Sequence, residues 1–295
     1  MIKNPIVSIV IPTHNEGLDV LATVDCIRRN SGVIPIQLIV VDDRSVDVSA
    51  AELKRLAAEG VIELVIPLQA GAVTARNAGA KQARADIIGF IDAHCYTPRN
   101  WLEPVLTEFD RRPEIGALSP VISSTDHLLD KGYGATWVDD ELTMSWLPKT
   151  DITAEVPFIG GAATFVRRSV FDHVSGFDDG IVQWGCEDVE LSIRLWLFGY
   201  KVVVVPNSTI YHKFRKHYRY SINSTDLLYN KLRMIFLHFD GNRLRRLLRH
   251  QLQYPLAEVA LQRLYHDGSE ARRDFLRNQG KLSMDTFCDR FQLVC

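Results

Sequence analysis

Short, uninterrupted runs of apolar, mostly β-branched residues alternate with helix-period segments through the first half of this chain, and that rhythm constrains its fold most. Val7, Ile9, Val10 and Ile11 make the first run, residues 36–41 the second, 61–66 the third and 87–91 the fourth. Between them Leu18, Leu21 and Ile27 recur at helical spacing, and 50–58 and 74–85 read the same way. Strands that are apolar on both faces belong in a parallel sheet covered by the intervening helices. The fold expected is therefore α/β with a mainly parallel central sheet, and function is expected at the strands' carboxyl ends. Further strands are expected over 117–123, over 160–166, and over 201–205 closing at Pro206, with a helix over 187–198. Residues 125–155 are polar, tryptophan-dotted and aperiodic, the pattern of a long excursion over a site. Beyond them Leu228, Leu232, Ile235 and Phe239 mark an apolar stripe, and the pattern stays helical to the end. The division expected is an α/β domain over 1–220 and a helical extension over 221–295.

Charge narrows the partners. The 295 residues carry 34 Lys and Arg against 36 Asp and Glu, a formal net charge of −2, so no global cationic footprint of the kind that drives nucleic-acid binding exists. From Lys213 to His250, however, ten Lys or Arg face two acids, and an anionic partner is expected there. Arg243, Arg245, Arg246 and Arg249 lie on a leucine-bearing helix that suits an acidic membrane surface, a second copy of the chain or an acceptor peptide. Lys216 and Arg219 read as a solvated basic face. Five cysteines without close pairs fit a reducing compartment, so a cytoplasmic protein is expected. The longest early apolar run, 6–12, is too short to span a bilayer and follows no signal-peptide pattern, so no transmembrane segment is expected.

Polar groups gather where strands end. Pro12, Thr13, His14, Asn15 and Glu16 follow the first strand, and Asp42 and Asp43 follow the second. These are also ordinary turn formers, but together they offer carboxylates that accept hydrogen bonds from a base N–H or ribose hydroxyls. Neither G-x-G-x-x-G nor G-x-x-x-x-G-K-[ST] is present, so the usual phosphate cradles are absent. Asp92-Ala93-His94 ends the fourth strand, where residues two apart project to one side. A carboxylate and an imidazole there are two ligands for a divalent cation, and His212 is the candidate third. One oxygen and two nitrogens suit Mn2+ and, less exclusively, Zn2+; structurally satisfied histidines are the competing reading. Gln183-Trp184-Gly185-Cys186-Glu187-Asp188 opens a helix, where acids are favoured by unpaired N–H groups and the dipole. The same acids behind a Trp-Gly turn also describe a base or an electrostatic group presented to a sugar. Cys186 reads as structural. In His212-Lys213-Phe214-Arg215 the guanidinium suits a diphosphate whose other side a metal would hold.

Together these segments resemble family-2-type glycosyltransferases of the GT-A fold, and more closely the catalytic domain of polypeptide N-acetylgalactosaminyltransferases. The general likeness lies in residues 7–16, in Val40-Val41-Asp42-Asp43-Arg44-Ser45, and in 71–79 with its Ala75-Arg76-Asn77. The closer likeness lies in Ile91-Asp92-Ala93-His94-Cys95 with Trp101-Leu102-Glu103-Pro104, in Gly160-Gly161, in Trp184-Gly185-Cys186-Glu187 with Glu190-Leu191, in Arg194-Leu195-Trp196, and in His212-Lys213-Phe214-Arg215. It covers residues 5–240. The resemblance implies a Rossmann-like, mainly parallel sheet flanked by helices, a UDP-sugar donor, and Mn2+ (or Mg2+) held by Asp92, His94 and His212. It puts uridine at Pro12, Thr13, His14 and Glu16 with Asp42 and Asp43, pyrophosphate at Arg215, and Arg76 and Ala93 at the sugar and metal edge. The residues matching Gly161 and Glu187 hold donor-sugar hydroxyls in that family, and the one matching Trp184 belongs to a gating loop. The implied reaction is metal-dependent transfer of a hexose or N-acetylhexosamine from UDP to a hydroxyl, Ser or Thr of a peptide among the acceptors.

Departures from that family open alternatives. Its lectin domain and membrane anchor are not read in this sequence, and Glu187-Asp188 stands where the family has Glu-Asn. Inverting family-2 enzymes have the Asp as general base. Asp188 would then deprotonate a glycan, lipid or small-molecule acceptor opposite the departing UDP, whereas retention needs front-face attack with the leaving phosphate oxygen taking the proton. A nucleotide-sugar-binding protein without turnover is a rival from another class, against which the retained acids argue. A zinc hydrolase needs a compact set such as H-E-x-x-H, which the chain lacks.

Overall fold

The structure, a computed structural model, describes residues 4–215 and 222–294. The basic face expected at Lys216 and Arg219 lies outside them. In chain order, β1 (Val7–Thr13), α1 (Leu18–Asn30), β2 (Ile36–Asp42), α2 (Ser49–Ala58), β3 (Glu63–Val65), α3 (Ala72–Gln82) and β4 (Ile87–Ile91) realise the alternation. Next come β5 (Cys95–Tyr96), α4 (Leu102–Arg111) and β6 (Ile115–Ser124), then four short strands, β7 (Lys131–Gly132), β8 (Ala135–Trp137), β9 (Met144–Trp146) and β10 (Ala154–Glu155). After β11 (Ala163–Arg167), α5 (Arg168–His173), α6 (Glu187–Leu197) and β12 (Lys201–His212) the chain is helical, with α7 (Ser224–His238), α8 (Gly241–Gln251), α9 (Ala257–His266), α10 (Ser269–Gln279) and α11 (Met284–Phe291).

The sheet order is β10-β12-β6-β11-β4-β1-β2-β3, with β5 on β12 and β7 on β6. Pairings among β3, β2, β1 and β4 are parallel, as the apolar runs require, and so is β6 with β12. β11 is inserted antiparallel between β4 and β6, so the sheet is mixed at its centre. That insertion sets the turn at Gly160 and Gly161 beside the end of β4, where Asp92 N donates to Ala162 O at 3.1 Å. Alternation along the strands feeds two cores. Ile9 and Ile11 pack with Val24 of α1 and Phe109 of α4 on one face, and Val10 and Phe90 pack with Val73 of α3 and Leu191 of α6 on the other. α3 rides directly on the sheet, since a Cβ at Gly79 would stand 2.3 Å from Val10 Cγ1 and 2.9 Å from Val41 Cγ2.

One expectation is corrected. β12 does not close at Pro206 but runs on to His212, its register with β6 shifting between Val205 and Thr209. Proline lacks the ladder N–H, and an irregularity accommodates it; Ser208 Oγ, within the same stretch, donates to Trp101 O at 2.6 Å. The acids that the basic stretch meets belong in part to the chain itself. Arg243 pairs with Asp285 (2.7 Å) and Asp289 (3.0 Å), Arg246 with Asp140 (3.2 Å), and Arg233 with Asp178 (2.7 Å) and Asp267 (2.8 Å). Among the described residues no helix is long and apolar enough to cross a membrane.

Candidate active site

β4 is wholly buried and delivers Asp92 and His94 to the mouth of the sheet on a tight turn, where Cys95 N donates to Asp92 O at 3.2 Å. The extended β12 pairs His212 with Cys95, and Lys213 N donates to His94 O at 3.1 Å, which fixes the second imidazole beside the first. The rings lie 4.7 Å apart by centroid, and one donor atom from each of Asp92, His94 and His212 falls within 4.8 Å of the others. His212 Nε2 is 3.6 Å from Asp92 Oδ2 and His94 Nδ1 is 3.5 Å from Glu16 Oε2, longer than normal hydrogen bonds. The Nδ1 atoms of both rings are buried without a hydrogen-bond partner. Burial pushes the Asp92 carboxyl up, but the His212 contact and the Arg76 and His94 charges outweigh it and hold the group well below the usual carboxylate range. An ionised carboxylate beside two imidazoles with unpaired nitrogens fits a divalent cation.

Arg76, only 5% exposed, joins this cluster to α6: its Nη2 donates to Asp92 Oδ1 at 2.9 Å and its Nη1 to Glu187 Oε1 at 3.0 Å. The acids at the start of α6 also fix local backbone. Glu187 Oε2 accepts from Gly185 N at 2.8 Å, Asp188 Oδ1 from Val189 N at 2.8 Å and Asp188 Oδ2 from Gly161 N at 2.9 Å. Burial and the neighbouring Glu187 charge push Asp188 up to about 6, which leaves a carboxylate poised near neutrality. The same burial and the two acids push the Cys186 thiol up to about 12, which disfavours a thiolate there.

The opposite wall comes from β1, β2 and the segment after β12. His14 Nδ1 lies 2.6 Å from Asp43 O, and because a carbonyl only accepts, that nitrogen carries the proton; Asn15 Nδ2 donates to Nε2 at 3.1 Å. Asp43 Oδ2 accepts from Gly71 N at 2.8 Å. Arg215 pairs with Glu16 (2.5 Å) and Asp19 (2.8 Å). Burial works against its charge, the two carboxylates outweigh that, and the guanidinium stays firmly cationic.

The expected site residues line one cleft of about 930 Å³, Pro12, Thr13, Ala93 and Trp184 among them. Asp42 is the exception. It is buried off the cleft wall, where its Oδ1 accepts from Ser45 N at 2.9 Å, a turn-forming role. Successive residues at a strand end point to opposite sides, so only one of the pair reaches the cleft. Trp137, Leu142, Met144 and Trp146, from the stretch expected to pass over a site, form an apolar arm of the cleft, and Lys231 and Met234 of α7 join it unforeseen. Tryptophans in the aperiodic 125–155 stretch were the available signal for the first group; α7 offered none.

A mixed sheet of this order, with a carboxylate-imidazole cluster at the strand ends and acids opening a facing helix, is the GT-A fold. The chain belongs to Glycosyl transferase family 2, whose sequence profile matches residues 8–175, and residues 144–218 match the N-terminal domain of galactosyltransferase. Polypeptide N-acetylgalactosaminyltransferase 3 of Drosophila melanogaster is 30% identical over 244 residues, which is 74% of this chain and 36% of that protein. Polypeptide N-acetylgalactosaminyltransferase 6 of Bos taurus is 30% identical over 239 residues, 72% of this chain and 38% of that protein. The match thus extends over little more than a third of these curated relatives' length. The crystal structure of GalNAc-T7 with UDP, GalNAc and Mn2+ is similar in fold, with a TM-score of 0.80 at 21% identity over 98% of this chain and 57% of that one. The mannosyltransferase PcManGT from Pyrobaculum calidifontis, in complex with GDP-Man and Mn2+, gives 0.54 at 15% identity over 91% of this chain and 75% of its own.

Two substitutions test this geometry. His212→Ala removes a candidate ligand, and since loss of groups behind metal ligands already costs about 10- to 100-fold in metal affinity, a drop of at least about 100-fold for Mn2+ is expected by calorimetry; unchanged affinity would remove the site. Arg76→Met strands the buried Glu187 carboxylate and the half-buried Asp92 one and should lower unfolding free energy by about 3 kcal/mol in urea at neutral pH. The Asp92 pKa is depressed in the fold, so its contribution is present above the unfolded value and fades as pH falls through the folded one. The deficit of Arg76→Met should accordingly shrink on acidification; a deficit that grew would contradict the pairing.

Proposed function

We propose that this chain is the catalytic unit of a metal-dependent glycosyltransferase that moves a hexose or N-acetylhexosamine from a UDP-sugar to a hydroxyl, with Ser or Thr of a peptide as the leading acceptor. The observation that carries the reading is the meeting of Asp92, His94 and His212 at the mouth of the sheet, in one cleft with Arg215 and the acids of α6. The names of the curated relatives support the peptide acceptor and the N-acetylhexosamine.

Asp92, His94 and His212 would hold Mn2+ or Mg2+, which when bound supplies positive charge for a leaving diphosphate. Arg215 is the cation nearest a diphosphate: exchanging Glu16 or Asp19 for phosphate oxygens would keep it paired and add charge stabilisation worth roughly 3–4 kcal/mol for one well-placed donor. Uridine fits the Pro12–Glu16 edge with Asp43, while Asp42 sits behind that wall, bound to Ser45 N. Arg76 keeps Asp92 ionised and Glu187 aimed at the sugar side, where the Gly161 turn and Trp184 complete the wall.

A second reading, an inverting transfer to a glycan, lipid or small-molecule hydroxyl, is favoured by Asp188, which faces the cleft with its carboxyl pushed up to about 6. A carboxylate tuned there accepts an acceptor's proton at neutral pH. A reducing, cytoplasmic setting belongs to the same proposal, supported by the thiols of Cys26, Cys95 and Cys186.

A panel of UDP-sugars, read by UDP release with and without Mn2+ and with Ser/Thr peptides, is expected to single out a donor whose turnover disappears on chelation. The anomeric configuration of the product, read by NMR, separates retention from Asp188-assisted inversion. UDP binding without turnover of any donor would favour a non-catalytic binding protein, and turnover indifferent to chelation would contradict the metal.

A further inference from the structure

α7 belongs to the segment beyond the expected boundary at 220, yet its Lys231 and Met234 form part of the cleft wall. Asn230, the residue before Lys231, is fully buried. Its Nδ2 donates to Val182 O at 2.8 Å and to Trp184 O at 3.1 Å, and its Oδ1 accepts from Val182 N at 2.9 Å. Both amide hydrogens and an oxygen lone pair are thus spent on one short stretch of backbone. That stretch is one that does not hold itself in place. Gln183 (φ 51°) and Cys186 (φ 72°) are non-glycine residues in the left-handed region, and Gly185 stands at φ 106°. Such conformations persist only where the surroundings over-determine them. The surroundings here are two helices: Ala72 N, at the start of α3, donates to Gln183 O at 2.8 Å, and α7 supplies Asn230 from the other side, with Tyr229 Oη donating to Gly180 O at 3.1 Å. The segment ends at Glu187, whose carboxylate accepts from Gly185 N and from Arg76.

We propose that Asn230 is a positioning residue for the transfer reaction: acting through the backbone of 182–185, its side-chain amide sets where Trp184 and Glu187 stand over the donor sugar. The inference rests on the glycosyltransferase reading above. Asn230 acts on the backbone that carries Trp184 and leads into Glu187, whereas most residues assigned to uridine and metal lie at or just beyond the ends of β1, β2, β4 and β12. Losing the amide should therefore spare nucleotide binding and remove rate. Asn230→Asp keeps the size and the acceptor for Val182 N but turns a donor into an acceptor against two carbonyls; Asn230→Ala removes all three bonds.

The test compares both variants with the full wild-type chain by hydrogen exchange, by calorimetry with UDP and Mn2+, and by steady-state kinetics with the UDP-sugar that the wild type uses. Amides of 182–187 should exchange at least about tenfold faster in both variants while those of β4 and β12 keep their protection. UDP affinity should stay within about threefold, and kcat should fall by about 100-fold, the loss that a misplacement of about an ångström brings, with donor KM little changed. Unaltered exchange over 182–187, unaltered kcat, or a parallel loss of UDP affinity and sheet protection would each overturn the proposal. If Asn230→Ala does not fold, Asn230→Asp and Asn230→Ser carry the same comparison. A wild-type chain that neither binds UDP nor releases it from any UDP-sugar refutes the underlying reading, whereas an active wild type matched by its variants refutes only the role of Asn230.

Discussion

One guanidinium holds the two halves of this site together. Asp92 leaves the sheet at the end of β4 and Glu187 opens α6, and without a cation between them a half-buried and a buried carboxylate would face each other unpaired. Arg76, fixed on α3 by the close packing of that helix on β1 and β2, bridges both. Burying a charge is tolerable only when it is paired and hydrogen-bonded, so this bridge decides that Asp92 stays ionised beside the imidazoles and that α6 points its first turn at the same cleft. A turn further along α6 the pattern repeats: Glu190 and Arg194 are fully buried together, and His238 of α7 lies 2.9 Å from Glu190. Burial pushes the Glu190 carboxyl up, but the Arg194 and His238 contacts outweigh it and hold it far below the usual range. α6 is thereby locked both to the sheet side and to the helical extension.

The second constraint is the path of β12. A strand that ended at Pro206 would leave His212 adrift; the register shift before Thr209 lets pairing with β6 resume and carries the chain to β5, where His212 lies opposite Cys95. An irregularity in a ladder is here the means by which a distant residue reaches the mouth of the sheet. The Arg-rich helices that follow turn their charge in part on acids of the same chain, so α8 docks on the 139–141 turn and on α11.

Much of this was legible in the sequence, for physical reasons that differ by element. Unbroken apolar strands are the mark of a two-sided sheet, and β1, β2 and β4 fell where that pattern put them. Asp92 and His94 were legible as a pair at a strand end, although a tight turn rather than strand alternation sets their geometry, and His212 followed from the need for a third ligand. Strand direction is not written in local composition, so the antiparallel insertion of β11 escaped. Pro206 reads as a stop because the sequence carries no sign of the shift that accommodates it. Asp42 and Asp43 look alike in sequence, and only the alternation at the end of β2 separates the one that ties a turn from the one that faces the cleft. Asn230 had no signature at all: an amide in an apolar stripe gains its meaning from the backbone it meets.

The account stands or falls on one cation at the joint of β4 and β12. Crystals grown with Mn2+ and UDP, measured at a wavelength that gives manganese an anomalous signal, address it directly. A single manganese peak bonded to Asp92, His94 and His212, with the diphosphate reaching from it toward Arg215, is the predicted result. UDP bound in the cleft with no manganese among those three side chains, or with manganese elsewhere, would contradict it.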